Sequence, residues 1–97
     1  MQTYILLLKL TEEGIRDIKN ATKRIDLATE SLEAMGGKMI AVYAAMGEYD
    51  YVAIGEVPSD EVAMRFLLGL GAVGIVRTTT LRAFTREEFS AIVQKMP

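Results

Sequence analysis

The chain opens with a run that is apolar on both faces of an extended segment. Between Gln2 and Leu10 the even positions are Tyr4, Leu6, Leu8 and Leu10, while Ile5 and Leu7 occupy the odd ones. A half-exposed strand alternates apolar with polar, whereas a doubly buried strand reads as a nearly continuous apolar run. A helix is predicted next, because Thr11 can cap it, Glu12 and Glu13 suit the positive end of its dipole, and Leu10 can staple to Ile15. Ile15, Ile18, Thr22, Ile25, Ala28, Leu32 and Met35 recur at steps of three and four and form one stripe. An unbroken helix from Glu12 to Met35 would be about 36 Å long, longer than the roughly 30 Å strand beside it. A break is therefore expected near Asn20–Thr22, and Gly36-Gly37 should end the helix in the left-handed region.

Two more strands follow, Lys38–Met46 and Tyr49–Val57, and Gly47-Glu48 between them suits a two-residue type II′ hairpin. Ser59, with Asp60 and Glu61 behind it, starts a helix whose inner face is Val62, Ala63, Phe66, Leu67 and Leu70, and whose exit is marked by Gly69, Gly71 and Gly74. A β-branched fourth strand spans Ile75–Phe84. Thr85-Arg86-Glu87-Glu88 is a capping box, Phe84 and Phe89 complete a staple, and the last helix ends near Lys95. The order β-α-β-β-α-β predicts one α+β domain over residues 1–97. It is the ferredoxin-like arrangement, an antiparallel sheet of order 4-1-3-2 with helices on one side. One helix layer covers one sheet face, so the other is expected to meet a second copy, as a homodimer or higher homo-oligomer in the form of a dimeric α+β barrel.

Composition narrows the chemistry more than it defines it. There is no cysteine and no histidine, which removes disulfides, a thiol nucleophile and the commonest metal ligand; no metal or other cofactor is expected. Net charge is −2 and no basic stripe exists, so nucleic acid is not the expected partner. No apolar run approaches the roughly 20 residues that cross a bilayer, and Gln2-Thr3-Tyr4 gives no basic flank to a leader, so the expectation is a cytoplasmic protein without a membrane partner. Gly69-x-Gly71-x-x-Gly74 matches the spacing of a dinucleotide fingerprint but lies between a helix and a strand, the reverse of the required context.

Gly47-Glu48-Tyr49-Asp50, the Pro58-Ser59-Asp60-Glu61 helix start, the segment from Val76 to Thr85 and the Gly14–Lys19 segment together resemble the GYD domain family. The likeness covers essentially the whole chain and departs at Ala21-Thr22, where the family is expected to carry a proline. It implies a dimeric α+β barrel of prokaryotic origin and no defined reaction.

The candidate site residues are Tyr49, Asp50, Arg77, Thr79 and Arg82. Each carries a plain structural reading beside the functional one. Gly47 reads as a turn residue, and Asp50 can bond turn backbone or stand as a carboxylate at a pocket mouth. The tyrosines Tyr4, Tyr43, Tyr49 and Tyr51 suit strand packing, with Tyr49 the one that could line a pocket. Arg77 and Arg82 point to opposite faces of an edge strand, where they deter edge pairing or recognise an anion together with threonine hydroxyls such as Thr79. Lys9 and Glu56 are the charged positions of the central strands and could pair. The six methionines are scattered and read as packing.

Three functions follow from this pattern. The first is a homo-oligomeric domain that binds a small anionic or aromatic molecule. The second is a cofactor-independent monooxygenase- or isomerase-like enzyme, argued by fold analogy alone, with Tyr49, Asp50 and Arg77 as its acid–base set. The third is a structural or regulatory oligomer. Whether a reaction occurs is left open by the sequence.

Overall fold

A computed structural model describes residues 1–97. Nine residues, Gln2–Leu10, form β1. Thr11 caps α1 (Glu12–Arg16) by accepting the Gly14 N–H at 3.1 Å. A single 3₁₀ turn over Ile18–Asn20 leads into α2, Ala21–Ala34. The break thus comes a few residues earlier than the propensity of Asn20–Thr22 suggested. Its cause is Asp17, whose carboxylate accepts from Asn20 Nδ2 at 2.7 Å and from Arg24 Nε at 2.6 Å. Both bonds favour the charged form and hold Asp17 below the usual carboxylate range.

The end of α2 is a Schellman motif. Gly36 takes φ +88°, its N–H donates to Glu33 O at 3.0 Å, and the Gly37 N–H donates to Leu32 O at 2.9 Å. The remaining elements are β2 (Lys38–Ala44), β3 (Tyr51–Val57), α3 (Asp60–Val73), β4 (Val76–Ala83) and α4 (Arg86–Gln94). All four strands pair antiparallel in the order β2-β3-β1-β4, the ferredoxin-like sheet.

Register decides the faces. Leu6 pairs with Ala53 and Thr80, and Leu8 with Tyr51 and Thr78; this set faces the helices. There Leu6, Leu8, Ala53 and Val57 join Leu32 of α2 and Val62, Ala63 and Phe66 of α3 in the core. A register shift between Met39 and Ala41 makes Ile40 the extra residue of a bulge, so Met39 and Val42, three apart, both turn toward the helices. The other face presents Ile5, Leu7, Val52, Ile54 and Leu81 with Ala41 and Tyr43, and none of these is buried.

Several local expectations change. No two-residue hairpin forms: β2 stops at Ala44, β3 starts at Tyr51, and the Ala45 N–H to Asp50 O bond at 2.8 Å closes the intervening loop. Asp50 is drawn toward β1 instead, its N–H donating to Leu8 O at 2.8 Å. Gly47 nevertheless takes positive φ, at +120°. Lys9 and Glu56 lie toward opposite ends of the sheet, because Glu56 pairs with Thr3, and Lys9 meets Glu48 at 3.8 Å. Gly69 and Gly71 are inside α3, which runs on to Val73 before Gly74 caps it. Ile15, Ile18, Phe84 and Phe89 are about half exposed or more, so neither the first half of the helical stripe nor the two staples are buried within the chain.

Candidate functional site

The helix-covered side of the sheet is not filled. Between α2, α3 and the sheet lies a cavity of about 330 Å³, and 17 of its 24 lining residues are hydrophobic. Its floor includes Leu8, Val42 and Tyr51; Ile25 and Ala28 of α2 face Phe66 and Leu70 of α3. The cavity exists because the two helices share the sheet without closing on each other, and Gly69 leaves the α3 wall bare. A Cβ at Gly69 would meet nothing within 4 Å.

Polar groups enter from the junction after α1 and from the two helices: Asp17, Arg24, Thr29, Ser31 and Arg65. The Thr29 hydroxyl donates to Ile25 O at 2.9 Å and Arg24 is held by Asp17, so both are already engaged. Arg65 is exposed and takes part in none of the ion pairs, which are Lys9–Glu48, Arg16–Glu12 and Arg24–Asp17. The signals for this cavity in the sequence were weak. Leu8, Phe66 and Leu70 read as ordinary core, and Gly69 as a mark of the helix exit.

The five residues singled out from sequence do not line that cavity. Asp50 accepts the Leu10 N–H at 2.8 Å and so ties the loop after β2 to the end of β1. Tyr49 stands beside it, with the Lys9 ammonium 5.4 Å from its ring centroid, and Arg77 is the cross-strand neighbour of Lys9. Tyr49, Asp50 and Arg77 therefore gather about one end of β1. The Arg77 guanidinium donates to Gly71 O and Val76 O, both at 3.2 Å. Thr79 is exposed mid-strand opposite Leu7 on the open face. Arg82 is far from the others: it pairs with Tyr4 near the start of β1, lies over the Phe84 and Tyr4 rings at 4.7 and 5.6 Å, and donates to Thr3 O and Ala83 O. Five residues along a strand separate Arg77 from Arg82 by about 16 Å, so one small anion cannot engage both.

At the Arg82 end, the Tyr4 hydroxyl donates to the Asp60 carboxylate. No group of three or more acidic side chains is arranged to hold a metal ion. No helix is long and apolar enough to cross a membrane.

Comparison with known proteins agrees with this architecture. A protein of Thermus thermophilus described as a glutamine synthetase and cystathionine beta-lyase binding protein is 34% identical over 84 residues, spanning 86% of this chain and 88% of the relative. The family model described as the GYD domain matches residues 4–93, from the first strand to the last helix. This chain belongs to the GYD domain family.

Proposed function

We propose that the protein is a homo-oligomeric binding domain that takes a small, largely apolar molecule into the cavity between α2, α3 and the sheet. The observation that carries this reading is the cavity itself, whose 330 Å³ lies within the range of small-molecule sites. Binding is favoured over catalysis by what lines it. The lining carboxylate is Asp17, which Asn20 and Arg24 keep ionised, so it is a weak proton acceptor near neutrality.

Oligomerisation would use the open sheet face. The chain exposes 6706 Å², roughly 1,200 Å² more than the about 5,500 Å² expected of a compact monomer of this mass. A standard interface takes about 800 Å² from each partner, so a face-to-face homodimer fits the excess. The cavity opens on the opposite side of the sheet and would stay accessible.

Thermal melts with indole as an apolar probe test the site. At a hundredfold excess over its dissociation constant the probe should stabilise the fold by about 2.7 kcal/mol, which is several degrees for a domain of this size. Backbone amide shifts should centre on α2, α3 and the sheet residues of the cavity floor, among them Leu8, Val42 and Tyr51. Saturating indole and similar probes that leave the melt unchanged would remove the proposal.

A second reading draws on the Thermus relative, described as binding two enzymes. Here the exposed apolar side chains Phe89, Ile92 and Val93 of α4, with Met96 just beyond it, support a protein-docking role. Co-purification with glutamine synthetase or cystathionine beta-lyase, lost on Phe89→Glu, is the expected outcome under that reading.

A further inference from the structure

Resting on the cavity reading above, we infer that the ligand is an amphipathic monoanion, a carboxylate on a linear or aromatic apolar body, with Arg65 recognising the carboxylate at the mouth. The interior constrains the body of such a molecule. Leu8, Ile25, Val42, Phe66 and Leu70 of its floor and walls offer no side-chain hydrogen bond, and the Tyr51 hydroxyl is the one polar tip in the floor. A charged group carried deep inside would lose its water with at most that one neutral partner, so charge must be confined to one end of the ligand.

The mouth fixes the sign of that end. Arg24 and Asp17 neutralise one another at 2.6 Å, which leaves no net charge on the α2 side. On α3, Arg65 lies one turn before Gly69 and has no carboxylate within 4.0 Å, because the three ion pairs all lie elsewhere. A planar guanidinium with free donors favours a carboxylate, which it can grip with two bonds, over a neutral or cationic head. With no side chain at Gly69, the space between Arg65 and Val73 stays open for the ligand to enter.

Decanoate, decanol and decylamine separate the body from the head. Binding to the full-length protein is read by titration calorimetry and by amide shifts. Decanoate is expected to bind at least tenfold more tightly than either of the others. Arg65→Gln should bring decanoate down to the level of decanol and leave decanol unchanged. The double variant Asp17→Asn/Arg24→Gln should preserve the preference, because the pair carries no net charge to remove. Equal binding of all three probes would overturn the assignment to a monoanion while leaving the cavity reading intact. A preference lost with Asp17→Asn/Arg24→Gln but kept with Arg65→Gln would overturn the role of Arg65. No binding of any probe would end both readings, as would binding that appears only after Phe89→Glu, since the cavity would then belong to the last helix of a second copy.

Discussion

Asp50 illustrates how a residue that looks chemical can be explained by backbone. Its carboxylate takes the N–H of Leu10, where β1 has run out of strand partners on the β3 side, because the register between them ends at Leu8 and Tyr51. Asp50→Ala would leave that part-buried donor unpaired and should cost about 1–3 kcal/mol in urea unfolding. Asp50→Asn keeps an acceptor oxygen and should restore most of the loss. If Asn and Ala were equally destabilising, the bond to Leu10 would not be the reason for Asp50. Gly14 is constrained as tightly, by contact and not by φ. A Cβ there would come within 2.3 Å of Ile75 O, so Gly14→Ala should destabilise by about 1–3 kcal/mol. Neither effect is visible in a linear pattern, because Leu10 and Ile75 become neighbours of these residues only through the sheet and its turns.

Among the elements, α4 is the least attached. It is a well-formed helix: Thr85 and Glu88 exchange the two bonds of a capping box, with the Glu88 carboxylate accepting the Thr85 N–H at 2.7 Å. Yet it buries no residue within the chain. Thr85→Ala should weaken the helix by about 1 kcal/mol, seen as faster amide exchange over residues 86–94 with little change in global melting. The Thr85 backbone bond, aided by the Thr85 hydroxyl and the charge of Arg82, holds the Glu88 carboxyl below its ordinary value of 4.5. A depressed folded value means a contribution that is complete above pH 4.5 and lost as the pH falls through the folded value. Amide exchange in α4 should therefore accelerate on acidification below pH 4.5, and Glu88→Gln should flatten that dependence. Unchanged exchange in wild type across that interval would show that the carboxylate does not hold the helix.

The whole molecule is larger than its sequence length warrants. Its radius of gyration is 14.6 Å and its longest extent 53 Å, where a compact chain of this length would have a radius near 12.5 Å. Only ten of 97 residues are buried, while Tyr43, Leu81, Phe89 and Ile92 are among the large apolar side chains left exposed. In the homodimer proposed above, a second copy would cover part of this surface. Light scattering should give twice the 10.7 kDa chain mass. Leu7→Glu, placed at the centre of the open face opposite Val52 and Thr79, should reduce it to a single chain without losing the α2–α3 side of the fold. A wild-type mass of one chain would exclude the homodimer.

Element order, strand antiparallelism, the caps at Thr11, Ser59 and Thr85 and the apolar character of both sheet faces were all legible in the order of residues. They depend on neighbours a few positions apart and on periodicity, which a linear chain carries in full. The tertiary structure alone decided the bulge at Ile40, the drawing of Asp50 onto β1, the meeting of Lys9 with Glu48 and the gap between α2 and α3. Each depends on where distant segments come to rest on one another, and packing of that kind has no period to read.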